Sequence, residues 1–321
     1  MRETDYAYAV ARIRANENAL LTRADIDQLI AADSYDTAVR ILTDKGWAQP
    51  EGEQGFDICE NEMSKTVKLI SECVPDASLF DALVIANDFA NLKAAIKAEF
   101  SAIDAGDYMT APYLCDPAII IKAVKESDFS LLPDYLAECA EAAYHTYSDS
   151  QSGQLIEVII DKACNRTKTQ WAVRAESPLL EKIFEMACAV SDIKTARRCV
   201  TTGKSREFAL DAVSFSGRVD CEKLVDAAYA GEKLASVISD AGLEELAEYA
   251  DGDFTALEMR CDNLITEMAG TNRHEIFGAD PVVAYYYAKV AEVKNVRIVL
   301  SAKAASVPKE IISERVRDTY V

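Results

Sequence analysis

Residues 281–303 read PVVAYYYAKVAEVKNVRIVLSAK, and two other stretches of the chain are built on the same plan. They are PDASLFDALVIANDFANLKAAIKAEF from Pro75 and PLLEKIFEMACAVSDIKTARRCVTTGK from Pro178, so that the three prolines stand 103 residues apart. Eleven to fourteen positions after each proline comes an acid: Asp88, Asp192 and Glu292. An apolar set follows it each time (Phe89, Leu92, Ile96; Ile193, Ala196, Val200; Val293, Val296, Leu300), with a base five residues beyond the acid, Lys93, Arg197 or Arg297. Self-similarity at a fixed period marks a structural unit copied within the chain. Three units of about a hundred residues suit a 321-residue chain, and they are expected at 1–107, 108–207 and 208–321.

Composition points to helices. Half the residues are hydrophobic, glycines (12) and prolines (8) are few, and Ala, Leu, Glu and Lys are abundant, which favours an all-α fold. Few segments alternate with period two, so strands are expected to be minor at most.

Fifty-four acids against thirty-four bases give a formal charge of −20. Such a surface repels phosphates and anionic headgroups at long range, which argues against nucleic acid and against direct adsorption to a membrane. Protein partners fit better. No apolar window of eighteen residues exists, and the opening MRETDYAYAVARIRANENALL lacks the apolar core of a signal peptide, so the expected location is cytoplasmic, with any membrane association made through partners. Nine scattered cysteines without a C-x-x-C pair read as small buried hydrophobes rather than metal ligands or disulfides.

Helix punctuation divides the chain further. A helix is expected over 5–20. Thr22 and Ser34 suit the N-caps of the next two, and Gly46 ends the second of these in the left-handed region. Residues 48–58 read as a loop, followed by a helix over 60–73. Asp116-Pro117 and Ser177-Pro178 are cap-plus-proline starts, Asp280-Pro281 repeats that signal, and GTNRHEIFGAD (270–280) is the clearest loop. A last helix is expected over KEIISERVRDTYV after Pro308.

No catalytic, cofactor or metal constellation stands out. TTGKS at 201–205 matches the end of a phosphate-binding loop, but Arg198 stands where that loop needs a glycine and a helix precedes in place of a strand, so a helix end is the better reading. His145 lies among tyrosines at a helix end, and His274 is in the exposed loop. NRTKTQWAVR (165–174) gathers bases around Trp171, and on so acidic a chain it reads as a solvated helix face with the aromatic turned inward. Each repeated acid and base, five residues apart, project about 140° from one another around the helix. They therefore face different neighbours, and either flank the apolar stripe or point into a shared axis or rim. Tyr285, Tyr286 and Tyr287 cover most of a helix circumference, so at least one is expected to be exposed or in an interface.

YAYAVARIRANENALLT near the start, NDFANLKAAIK, and the ending GADPVVAYYYAKVAEVKNVRIVLSAKAASVPKEIISERVRDTYV resemble the C subunits of the archaeal and bacterial A/V-type ATP synthases, the family that includes the d subunits of eukaryotic vacuolar ATPases. The resemblance runs from Tyr6 to Val321 and is most specific at the ending. LIEVIIDKACNRTKTQWA (155–172) departs from the family pattern. The resemblance implies three helical units about a pseudo-threefold axis, shaped as a funnel or socket on the cytoplasmic face of the membrane rotor ring. It implies ring and central-shaft subunits as partners, no catalytic residue and no cofactor. A long-helix, low-glycine body suits a torque-transmitting part, and its negative field complements basic partner surfaces. Arg12, Arg14, Tyr286 and Arg297 are the candidate partner contacts. The alternative is an acidic helical interaction scaffold, although such solenoids repeat at about 30–45 residues.

Overall fold

The structure is a computed structural model that describes residues 3–47, 57–101, 103–214 and 217–321. The described residues contain sixteen α-helices and no strand. In chain order these are α1 (Ala7–Glu17), α2 (Arg23–Ala31), α3 (Tyr35–Asp44), α4 (Asp57–Cys73), α5 (Ala77–Ser101), α6 (Pro117–Glu126), α7 (Asp134–Ser150), α8 (Gly153–Arg174), α9 (Pro178–Thr201), α10 (Arg206–Ala212), α11 (Cys221–Ala230), α12 (Ala235–Asp240), α13 (Glu244–Ala247), α14 (Phe254–Thr271), α15 (Asp280–Ala304) and α16 (Lys309–Ser313). The three repeated stretches form α5, α9 and α15. Most of the loop expected at 48–58 lies outside the described residues.

The caps behave as their chemistry requires. Thr22 closes a capping box, its Oγ1 accepting from Asp25 N while Asp25 Oδ2 accepts from Thr22 N, an arrangement that stabilises a helix start by about 1 kcal/mol. Ser34 accepts from Thr37 N at 3.1 Å, and Gly46 turns the chain at φ +89°. Gly203 ends α9 at φ +67°, and Ser205 caps α10 through Phe208 N at 3.1 Å. The TTGKS residues thus close one helix and open the next.

Contacts divide the chain into two compact units. One comprises Met1–Ala77, Ser177–Leu180 and Glu258–Val321; the other comprises Ser78–Glu176 and Glu181–Leu257. In the first, Ile26, Leu29, Leu42 and Ile58 of α2, α3 and α4 pack on Val293, Val296 and Leu300 of α15. The N-terminal helices therefore complete the core of the last long helix. In the second, Ile85, Phe89, Leu92 and Ile96 of α5 pack on Ile120, Leu136, Ala140, Ile156 and Ile160 of α6, α7 and α8. Phe89 is 1% exposed, and burying such a side chain stabilises by about 2–3 kcal/mol.

Two local expectations need correction. The final helix stops at Ser313, and residues 314–321 form a tail without helical structure. Its backbone is held by side chains of other helices, as described below, which compete with the helical hydrogen bonds. Asp280 is the first residue of α15 and not its cap. Its Oδ1 instead accepts from Ser177 Oγ at 2.6 Å and from Leu179 N at 3.4 Å, while Ser177 Oγ accepts from Leu180 N. The acid therefore strengthens the start of α9, where free amides and the helix dipole favour negative charge.

Candidate interaction surfaces

Every repeated acid is buried, and each holds the backbone of a connecting segment. Asp88 accepts from Leu114 N at 3.0 Å, Cys115 N at 2.9 Å and Tyr135 Oη at 2.6 Å. Asp192 accepts from Ser214 N at 2.7 Å and Ser214 Oγ at 2.8 Å, with Cys221 Sγ at 3.6 Å. Glu292 accepts from Leu21 N at 2.5 Å. These acids neither flank the stripe nor point into an open axis. They lie on the apolar stripe itself, one helical turn from buried Leu92, Ala196 and Val296 respectively, so packing forces them inward and donors must meet them. Burial pushes the carboxyls of Asp88, Asp192 and Glu292 above the usual carboxylate range, with these hydrogen bonds opposing the rise.

Asparagine three residues on adds a second clasp in two of the repeats. Asn91 donates to Thr110 O at 3.0 Å and accepts from Thr110 N at 2.7 Å. Asn295 does the same to Arg317, at 3.1 and 2.7 Å. Each asparagine replaces a strand-like partner for one residue of non-helical chain. Thr195 stands at that place in α9. This pairing was not recognised from sequence, although the shared spacing in D-x-x-N and E-x-x-N was the available signal.

α15 adds a buried charge cluster. Lys289 Nζ donates to Glu62 Oε1 at 2.7 Å and Glu292 Oε1 at 2.5 Å, and lies 5.5 Å from the centroid of the Trp47 ring. Burial works against the Lys289 charge, and the two carboxylates outweigh it. Arg317 Nε reaches Asp262 Oδ2 at 2.9 Å, and the same oxygen pairs with Lys294 Nζ at 2.6 Å.

The repeated bases point elsewhere, as their angular offset requires. Lys93 pairs with Asp161 at 2.6 Å. Arg197 donates to Ala250 O and Gly252 O at 2.9 and 2.7 Å and covers the Phe254 ring at 4.5 Å. Arg297 is exposed and lies beside the Cys59 thiol.

The four candidate contacts have different surroundings. Arg12 is half-exposed, 3.5 Å from Glu72 and 5.9 Å from the Tyr8 ring centroid. Arg14 is engaged internally: it binds Glu17 at 2.6 Å, Asn272 O at 3.2 Å and Glu275 O at 2.7 Å. It thereby fixes the turn that displays Ile276 and Phe277, which are 61% and 47% exposed. Tyr286 stacks edge-on to Tyr287, ring centroids 5.3 Å apart, and burial pushes its hydroxyl up to about 12. Tyr285 is buried while Tyr286 and Tyr287 are half-buried. None of the three is fully exposed, because the long helix is surrounded around most of its circumference. Of the two histidines, His145 sits edge-on to Tyr144 at 6.0 Å and His274 lies on an exposed turn.

A family model described as ATP synthase (C/AC39) subunit matches residues 9–315. The C subunit of the V-type sodium ATPase of Enterococcus hirae is 25% identical over 324 residues, covering 96% of this chain and 97% of that protein. A helical body whose inward acids clasp its own connections, matched over this length, falls in the class of non-catalytic stalk subunits of rotary ATPases. The chain belongs to the ATP synthase (C/AC39) subunit family.

Proposed function

We propose that this chain couples the central shaft of a rotary ATPase to its membrane rotor ring, standing on the cytoplasmic face and held there by those partners. No helix among the described residues is long and apolar enough to cross a membrane, in keeping with attachment through ring subunits. The observation that carries the reading is the repeated clasp. Each of the three repeated helices α5, α9 and α15 uses a buried acid to hold the backbone of a connecting segment, and torque passes through a body only if its connections do not yield before its helices do. The clasps also support a triplicated module, the third one built from α15 and closed by the N-terminal segment through Leu21. The net charge of −20 orients basic partner surfaces, while apolar contacts supply the affinity.

The test is removal. A complex lacking this chain should retain ATP hydrolysis by its catalytic head and lose ATP-driven ion transport, and the tagged chain should co-purify with ring and shaft subunits. Ion transport that persists without the chain would refute the coupling role.

A further inference from the structure

The unit formed by Ser78–Glu176 and Glu181–Leu257 contains an open cleft of about 870 Å³ between α7, α8 and α10. Two parallel rows of α8 line it at i+4 spacing. One is apolar except for a threonine: Leu155, Ile159, Ala163, Thr167 and Trp171. The other is polar and basic: Lys162, Arg166, Gln170 and Arg174. The facing wall on α7 carries Asp134 and Glu138, also four residues apart, and α10 contributes Phe208 and Asp211, whose carbonyl oxygen accepts from Lys162 Nζ at 3.0 Å. α8 is 22 residues long yet fully buries only Ile156, Ile160, Thr167 and Ala172. Leu155, Ile159 and Trp171 remain half-buried along the cleft floor. Neither the Arg166 nor the Arg174 side chain has a hydrogen bond or ion pair among the described residues, on a chain otherwise dominated by acids.

From this geometry we infer that the cleft is the docking groove for an amphipathic α-helix of another subunit of the complex, acidic along the edge that meets α8 and basic along the edge that meets α7. The inference rests on the rotary-ATPase reading above. The basic row spans twelve residues, about 18 Å, which matches roughly three turns of an apposed helix. The walls are side chains with no open backbone edge, so an extended peptide would leave its amides unpaired, whereas a helix brings its own hydrogen bonds. Opposite charge on the two rims fixes the direction in which such a helix lies. The acidic rim and the overall charge disfavour an anionic lipid.

Trp171 reports occupancy directly, because Trp47, the other tryptophan, is 3% exposed. Hydroxyl-radical footprinting read by mass spectrometry should find Trp171 oxidised in the isolated chain and protected in the purified complex. A benzoylphenylalanine placed at Gln170 should cross-link to a helical segment of a neighbouring subunit that has an acidic edge. The double variant R166E/R174E, with its circular dichroism unchanged, should leave the complex about tenfold faster on dilution. Acid-to-lysine changes on the cross-linked helix should restore retention. Equal oxidation of Trp171 in both states, or cross-links to lipid, to a second copy of the chain or to an extended segment, would overturn the inference. A chain present in the complex with its cleft open defeats this inference alone; a chain absent from any rotary complex defeats the coupling function as well.

Discussion

α15 and α8 are of similar length, 25 and 22 residues, yet they are used in opposite ways. α15 buries fourteen of its residues, among them Lys289, Glu292 and Asn295, each hydrogen-bonded to another part of its unit. α8 buries four and leaves one face along a cleft. A helix enclosed by its own chain must match every polar group internally, which fixes residue identities along its length. A helix open on one side is constrained only on its inner face.

The largest effect that would break this contrast lies at Lys289. Replacing it with alanine leaves Glu62 and Glu292 facing one another in the interior, and losing one partner of a buried charge pair costs about 3–5 kcal/mol. Denaturant unfolding followed by Trp47 fluorescence reads it, since that ring stands over the ammonium group. Should Lys289→Ala prove as mild as a surface substitution, α15 is not held by its charges and the comparison fails.

Next comes Asn295→Ala, which removes two hydrogen bonds to the Arg317 backbone. A buried amide pair left unmatched costs about 2–3 kcal/mol. Hydrogen exchange at the Arg317 amide should quicken while amides in the centre of α8 are unchanged. Protection that survives at Arg317 would show that the tail is pinned by its other contacts, Arg317–Asp262, Asp318 N–Asn263 and Tyr320–Glu17.

Much of this contrast was written in the sequence, though not all of it. The all-α class follows from composition, and the long helices follow from the repeated prolines, apolar stripes and caps. The acids at 88, 192 and 292 were located by their repetition, but their role was not, since a buried acid differs from a solvated one only through donors that arrive from distant segments. Arg14 and Asp280 show the same gap. Arg14 binds the backbone of residues 272 and 275, and Asp280 serves a helix start about a hundred residues earlier. The tail after Ser313 carried helical residues, and tertiary hydrogen bonds to Asn295 overrode that propensity. The cleft was hidden because NRTKTQWAVR marks its basic row, while α7 and Phe208 supply the walls.

A pH titration sharpens the comparison using the same residue type on the two helices. Burial raises the Glu292 carboxyl, so the folded protein binds that proton more tightly than the unfolded chain. The stability of wild type relative to Glu292→Gln should therefore fall as pH rises from about 4 through the raised value. The hydrogen bond from Lys97 lowers Glu157 on α8. Wild type relative to Glu157→Gln should be favoured above the ordinary glutamate range and lose that advantage as pH falls through and below it. The Glu157 effect is a few tenths of a kcal/mol, because both partners are solvated. Two difference curves of the same slope would mean that the helices do not differ in enclosure.

The smallest effect expected in the isolated chain is also the most informative about use. Arg174→Ala removes an exposed guanidinium with no partner among the described residues, and such surface changes shift stability by no more than about 0.5 kcal/mol. Its thermal and denaturant transitions should overlay those of wild type. Near-zero effect on folding joined to weakened retention in the complex separates a residue kept for a partner from one kept for the fold, a separation that no position on the enclosed face of α15 can provide, because every change there unsettles the chain first. If Arg174→Ala destabilises the isolated chain as much as Asn295→Ala does, the open face of α8 is part of the fold's own support, and the two helices differ in exposure without differing in purpose.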